Sequence, residues 1–74
     1  MRDVLTLTVN GQPRDFPVPA SGRLSVVGLL TALALDPRKV AVERNEEIVP
    51  RSHYMETWLA SGDQLEIVHF IGGG

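Results

Sequence analysis

The stretch "DVLTLTVNGQPRDFPV", residues 3–18, alternates apolar and polar side chains on either side of an Asn-Gly pair. The apolar residues before that pair recur at every second position, so they share one face of an extended chain. These residues are Leu5, Leu7 and Val9. Asn10-Gly11 supplies the positive φ angles that a type I′ turn requires. The stretch therefore predicts a β-hairpin in which Phe16 and Val18 return along the same face.

The second half of this hairpin contains Pro13 and Pro17. Proline has no backbone N–H to donate to a neighbouring strand, and it is therefore confined mainly to the edges of sheets. The returning strand is predicted to be an edge strand.

A helix is predicted after the loop "PASGR", residues 19–23. Ser25 is a favourable N-cap, because its hydroxyl can accept a hydrogen bond from the first helical turn. The apolar residues that follow have the i, i+3, i+4, i+7 spacing of one helical face. They are Val26, Leu29, Leu30 and Leu33. Asp36-Pro37 is predicted to end the helix, since proline disfavours αR geometry at the residue before it.

A second pair of strands is predicted from "KVAVERN", residues 39–45, and the short apolar run Ile48-Val49. Val40 and Val42 share the inward face of the first of these strands. The next stretch, "RSHYMETWLASGD", has no clean period and is predicted to be a loop with a short helical turn. One or more of its large side chains is expected to fill the core. The candidates are Tyr54, Trp58 and Leu59.

The last strand is predicted in "QLEIVHFI", residues 64–71. Its alternation places Leu65 and Ile67 on the core face and leaves Val68 and Phe70 on the opposite face. Exposed apolar side chains at such a position are typical of a docking surface. Val68, Phe70 and Ile71 are therefore predicted to form a surface that binds partner proteins.

The order of these elements predicts an α+β roll, a mixed sheet of five or four strands packed on one main helix. The first and last strands are expected to lie side by side and parallel at the centre of the sheet. Residues 1–70 are predicted to form the folded domain, and residues 71–74 an extended, flexible glycine-rich tail.

Composition excludes several classes of function. A net charge of −2 gives no electrostatic reason to bind nucleic acid, and no apolar run is long enough to span a membrane, so a cytoplasmic location is expected. The chain has no cysteine, and His53 and His69 lack a metal-binding spacing, so no metal site is predicted. A roll of this size has little room for a catalytic cleft, and the chain is not predicted to be an enzyme.

The unusual feature is the closing run Gly72, Gly73 and Gly74. Three extended residues reach about 10 Å, and without Cβ atoms they can enter a narrow active site. A free carboxylate is a poor electrophile, but an adenylate would give it a good leaving group, and a nucleophile could then form a new acyl bond. The tail is therefore predicted to be a portable acyl group.

Two stretches of the chain, "VAVERNEEIVPR" and "GDQLEIVHFIGGG", together with the order of its elements, resemble the ThiS family of sulfur carriers in thiamine biosynthesis. The resemblance covers residues 4–74 and implies a ubiquitin-like β-grasp fold. It implies that Gly74 is adenylated by a ThiF-type, E1-like enzyme that uses ATP and Mg²⁺. A cysteine desulfurase would then supply the sulfur that makes Gly74 a thiocarboxylate, and the thiazole synthase ThiG would receive that sulfur. The chain itself would bind no cofactor.

Two related functions also fit a β-grasp domain that ends in Gly-Gly. One is the small subunit of molybdopterin synthase, whose sulfur goes to a pterin precursor. The other is a ubiquitin-like protein modifier, joined through Gly74 to lysines of its targets. A third alternative is an interaction module whose tail has no chemical role.

Overall fold

The computed structural model describes residues 3–70 of the chain. In chain order its regular elements are strand β1 (Val4–Val9), strand β2 (Gln12–Pro17), helix α1 (Val26–Ala32), strand β3 (Val40–Arg44), strand β4 (Glu47–Val49) and strand β5 (Gln64–His69). Short 3₁₀ helices at Pro37–Lys39 and Arg51–His53 connect them. The predicted domain boundary at residue 70 and the predicted tail of residues 71–74 lie at and beyond the end of the described residues.

The five strands form one mixed sheet with the order β2-β1-β5-β3-β4. β5 lies at its centre, parallel to β1 and antiparallel to β3. The predicted parallel pairing of the first and last strands is therefore confirmed, and the sheet has five strands rather than four. β2 lies at an edge, as its prolines predicted.

The first hairpin forms as its sequence predicted. Asn10 and Gly11 have φ angles of 49° and 84°, so the turn is left-handed at both central positions, as type I′ requires. In the resulting register Leu5 faces Phe16 across the two strands. Phe16 is buried, and Val18 is partly buried just after the strand.

The core lies between the sheet and α1. Ser25 caps the helix, since its hydroxyl accepts a 2.9 Å hydrogen bond from the Gly28 N–H. The predicted apolar stripe faces the sheet, with Leu33 only partly buried at its end. Every strand also contributes at least one apolar side chain to the core. Among all the large side chains of the core, those of α1 included, the fully buried ones are Leu7, Leu29, Leu30, Leu65, Val26, Val40 and Val42.

The predicted end of the helix is wrong. α1 ends at Ala32, four residues before Asp36-Pro37. The N–H of Ala34 donates to the carbonyl of Thr31, and the N–H of Leu35 donates to that of Leu30. These two bonds are the Schellman pattern that closes a helix when the residue after the C-cap is left-handed. Ala34 takes that position with a φ of 59°.

The segment between β4 and β5 fills the open end of the core. Tyr54 and Leu59 are buried, and the Tyr54 hydroxyl donates to the Val40 carbonyl at 3.2 Å. Trp58 is 44% exposed, with the Arg23 guanidinium 4.9 Å from its ring centroid. Two of the three predicted core-filling residues therefore have that role, and Trp58 lies at the surface.

A buried polar cluster fixes the start of β5. The Asp63 carboxylate accepts hydrogen bonds from Arg44 Nε at 2.8 Å, from Asn45 Nδ2 at 3.1 Å and from the Ala60 N–H at 2.8 Å. Burial by itself would raise the pKa of Asp63, but these three donors outweigh it and hold the pKa below its usual range. The cluster ties the β3–β4 turn to the residue that precedes β5.

Replacing Ala34 with glycine should stabilise the fold. A left-handed alanine costs about 1–2 kcal/mol, and glycine removes that strain at some cost in unfolded-state entropy, so A34G should raise the free energy of unfolding by about 1 kcal/mol. Urea denaturation monitored by Trp58 fluorescence measures the change. The matched control A32G, within the helix, should lower the same free energy by up to about 1 kcal/mol. A lower stability of A34G would contradict the Schellman assignment.

Asp63→Asn should make stability depend less on pH. A carboxyl whose pKa is lowered by folding contributes stability above its unfolded pKa of about 4 and loses it as pH falls through the folded value. Near pH 7, D63N should therefore lower the free energy of unfolding by about 2 kcal/mol, and the difference from the wild type should shrink toward pH 3. D3N, which changes an exposed carboxylate outside this cluster, is the control and should change stability little. A difference that stays constant with pH would refute the role given to Asp63.

Candidate functional site

The end of β5 presents the predicted partner surface. Leu65 and Ile67 are buried against the helix, whereas Val68 and Phe70 are 60% and 49% exposed on the opposite side of the sheet. The predicted alternation is therefore confirmed from Gln64 to Val68, whereas His69, which would be the next inward residue, is exposed. The two exposed side chains lie immediately before the glycine-rich end of the chain.

Phe70 is held in place although it follows the last residue of β5. Its N–H donates to the Lys39 carbonyl at 2.9 Å, which continues the β3–β5 ladder by one more bond. The Arg51 guanidinium lies 5.4 Å from the centroid of its ring, within the range of a cation–π contact. Half of the Phe70 side chain stays exposed, so it both packs on the domain and contributes to the surface.

Arg51 is a functional candidate that the sequence pattern did not reveal. Its Nε donates to the Pro37 carbonyl at 3.2 Å, and its Nη2 lies 3.4 Å from the Val40 carbonyl. These bonds fix the guanidinium beside Phe70, at the point where the described chain ends. No local sequence pattern could indicate this contact, because Arg51 and Phe70 are nineteen positions apart (70 − 51 = 19).

Ile48 is a third exposed apolar side chain on the outer face of the sheet. It is 75% exposed, the second most exposed of the large apolar side chains among residues 3–70. Ile48 faces Glu43 on β3, while Val68 faces Ala41 on the other side of the same strand. Ala41 presents a small side chain beside Val68, and the exposed Glu43 and Glu66 lie in the same row as Ile48. We define Ile48, Val68 and Phe70 as the outer apolar patch.

The remaining predicted site residues lie outside the described part of the chain. They are Ile71, Gly72, Gly73 and Gly74. Those residues continue from the central strand β5 and from Phe70, the residue that follows it.

Residues 3–70 hold no cluster of three metal-ligating side chains. Within the same range, no helix is both long and apolar enough to cross a bilayer.

Known proteins are similar to this chain over nearly its whole length. The family model described as the ThiS family matches residues 7–74. The chain is 44% identical over 50 residues to the sulfur carrier protein ThiS of Bacillus subtilis, covering 68% of this chain and 76% of that protein. The chain belongs to the ThiS family. The resemblance identified from "VAVERNEEIVPR" and the closing stretch is thereby confirmed, and it favours ThiS over the molybdopterin-synthase alternative.

The solved structure of a ThiS-family protein has the same fold. The crystal structure of the thiamine biosynthesis protein ThiS from Geobacter metallireducens matches with a TM-score of 0.74 at 38% sequence identity. The match covers 95% of this chain and all of that one. The predicted ubiquitin-like β-grasp fold is therefore confirmed.

Some relatives join this domain to a much larger protein. A thiazole synthase of Paramagnetospirillum magneticum is 51% identical over 70 residues, which are 95% of this chain and 20% of that protein. The chain thus spans about a fifth of the length of that thiazole synthase. In such relatives the ThiS-family domain and the remaining four fifths share one polypeptide.

Proposed function

We propose that the chain carries sulfur as a thiocarboxylate on Gly74 and donates it to the thiazole ring of thiamine. Membership of the ThiS family makes the chain a sulfur carrier protein of thiamine biosynthesis rather than an enzyme. The observation that carries the proposal is the position of the glycine run. In the sequence it begins two positions after Phe70, the residue that follows the central strand and is anchored on both Lys39 and Arg51.

The chemistry needs two steps at one carbon atom. A carboxylate oxygen of Gly74 first attacks the α-phosphorus of ATP, which releases pyrophosphate and leaves an acyl adenylate. Sulfur at the oxidation level of sulfide then attacks the acyl carbon, and AMP leaves with the electron pair of the broken C–O bond. We propose that a ThiF-type enzyme binds the ATP and Mg²⁺ and that a cysteine desulfurase is the source of sulfur. The desulfurase supplies the sulfur as a cysteine persulfide, and attack by a second thiol on the inner sulfur releases the outer one at the level of sulfide while the two thiols become a disulfide.

The composition of the chain suits this role. It has no cysteine, so no thiol of its own can attack the activated carboxyl group. Glycines 72–74 have no side chains to collide with the walls of an enzyme channel. These features also fit a protein modifier, which would transfer the same activated carboxyl group to lysines instead of accepting sulfur.

Intact-mass measurement tests the proposal. After incubation with a ThiF-type enzyme, ATP, Mg²⁺ and a sulfur source, the chain should gain the mass difference of one sulfur for one oxygen, and fragmentation should place it on Gly74. A variant without Gly73 and Gly74 should gain nothing, while its urea denaturation curve stays that of the wild type.

Rescue of a thiamine-requiring strain that lacks its own carrier separates the alternatives. The wild-type chain should restore growth without thiamine, and the truncated variant should not. Isopeptide conjugates that survive denaturation would instead indicate a protein modifier. Sulfur transfer at the normal rate by the truncated variant would refute the role of Gly74.

We also propose that the outer apolar patch, together with Ile71, is the surface that the enzymes bind. Phe70 is the last described residue before the tail, and Val68 lies two positions before it on the same face, so an enzyme that takes the tail into its active site would come close to both. A few large side chains, aromatic ones above all, supply most of the affinity in such interfaces. The proposed partners are the ThiF-type enzyme and the thiazole synthase ThiG, and the relatives that contain both this domain and a thiazole synthase support the second of these. We also propose that the chain acts in the cytoplasm.

Val68→Glu should weaken binding without unfolding the domain, because Val68 is exposed on the outer face while a charge there opposes apolar contact. We expect the affinity for the ThiF-type enzyme, measured by calorimetry, to fall at least tenfold, about 1.4 kcal/mol. Val4→Glu is a matched control: Val4 is 48% exposed and lies at the start of β1, far from the tail. Equal affinities of the two variants would contradict the role of the patch.

A further inference from the structure

β5 extends beyond the end of its neighbour β1. The pairing of the two strands is limited to Thr8 with Gln64 and Val9 with Leu65, and β1 then turns away into the hairpin. β3, on the other side, accompanies β5 to His69. One side of the last part of β5 therefore has no neighbouring strand among residues 3–70.

The hydrogen bonds of β5 alternate between its two neighbours. Phe70 donates to Lys39, so the even-numbered residues point their backbone groups toward β3. The odd-numbered residues point theirs toward β1, and the Leu65 carbonyl accepts from the Asn10 N–H at 2.8 Å. His69 is the next odd-numbered residue after Ile67, so its N–H and carbonyl face the side that β1 has left.

The side chain of Asn10 ends the ladder on that side. Its Oδ1 accepts from the Ile67 N–H at 2.7 Å, and its Nδ2 donates to the Ile67 carbonyl at 3.2 Å. One amide thus takes the place of a peptide group of a neighbouring strand. Within residues 3–70, no hydrogen bond continues this ladder to His69.

A groove lies beside this open part of β5. It has a volume of about 240 Å³ and opens to solvent between the end of α1 and the sheet. Its apolar walls come from β1, β5 and the Schellman turn that follows the helix, and its polar groups come from the hairpin and β5. The lining residues are Val9, Leu33, Leu35, Ile67, Asn10, Arg14 and His69.

The charge of the groove indicates what it would bind. Arg14 lines it, and no carboxylate does. The Arg14 guanidinium lies 5.7 Å from the centroid of the Phe16 ring, and it makes no ion pair within residues 3–70. A segment that binds here would therefore make three kinds of contact. Its extended backbone would hydrogen-bond to His69, an apolar side chain would enter the groove, and a carboxylate would pair with Arg14.

We propose that an extended acidic segment of the thiazole synthase adds to β5 beside His69 and inserts an apolar side chain into this groove. The inference rests on the proposed function. Addition of a strand to a free sheet edge is a common mode of recognition, in which backbone hydrogen bonds give affinity and side-chain pockets give specificity. The thiazole synthase is the partner favoured here because several relatives contain it in the same polypeptide as this domain.

The location of the groove also suits this partner. Gly74 is five positions after His69 (74 − 69 = 5), a reach of about 17 Å when extended. A synthase strand docked at His69 would therefore fix the direction in which the tail enters the active site. The outer apolar patch lies on the opposite face of the sheet, so both surfaces can be covered in one complex.

Charge reversal of Arg14 tests the groove. R14E should weaken binding of a separately expressed thiazole synthase, measured by calorimetry, at least about tenfold, because the segment's carboxylate would then face a like charge. R23E is the matched control, since Arg23 also lies over an aromatic ring, that of Trp58, but near the N-terminal end of α1. It should bind like the wild type.

Amide hydrogen exchange gives a second readout on the wild-type chain. Addition of the synthase should slow exchange of the His69 N–H, while exchange of the Glu66 N–H, already bonded within the β3 ladder, should change little. Unchanged exchange at His69, or equal affinities of R14E and R23E, would overturn the proposal. Weaker binding of R14E to the ThiF-type enzyme but not to the synthase would also overturn it.

The same variants distinguish failure of the groove from failure of the carrier function. If R14E acquires the thiocarboxylate and delivers its sulfur as fast as the wild type, the groove proposal is wrong and the carrier function stands. If the wild-type chain never acquires the thiocarboxylate, the carrier function is wrong, and the hydrogen-exchange result still decides whether the synthase binds at His69.

Discussion

β5 is hydrogen-bonded to β3 along its full length and to β1 over its first residues, and its inward side chains lie at the centre of the core. The rest of the molecule depends on this strand being held on both sides. Its start is fixed by the buried Asp63 cluster, and its end by the bonds of Phe70 with Lys39 and Arg51. A tail that continues from such a strand starts from a fixed position and direction.

The domain is small, and its irregular parts do much of the packing. The segment between β4 and β5 contributes Tyr54 and Leu59 to the core, and its carbonyls at Tyr54 and Thr57 accept hydrogen bonds from the first N–H groups of α1. A seven-residue helix is too short to be stable alone. It is held by this loop at one end and by the Schellman turn at the other.

In the proposed function, some steps belong to the chain and others to its partner enzymes. The proposed function assigns the ATP, the Mg²⁺ and the sulfur source to partner enzymes. The chain contributes a carboxyl group, a defined base for it, and surfaces for recognition. The outer apolar patch and the groove beside His69 lie on different faces of the sheet, so the thiazole synthase can contact both surfaces while the ThiF-type enzyme is proposed to contact the patch.

The sequence by itself determined the features that depend on near neighbours along the chain. The two-residue alternation predicted which side chains of β1 and β5 face the core. The Asn10-Gly11 pair predicted the first turn, and Ser25 predicted the start of the helix. The prolines of β2 settled its place at the edge. Each of these follows from local backbone geometry, which a few adjacent residues suffice to specify.

Only the tertiary structure decided the features that join distant parts of the chain. Asn10 bonds to Ile67, 57 positions away, and Arg51 packs on Phe70. The helix ends at Ala32 rather than at Asp36-Pro37 because a left-handed Ala34 is tolerated once Leu33 and Leu35 pack against the core. Such contacts depend on the free energy of the whole packed domain, and no local pattern encodes that quantity.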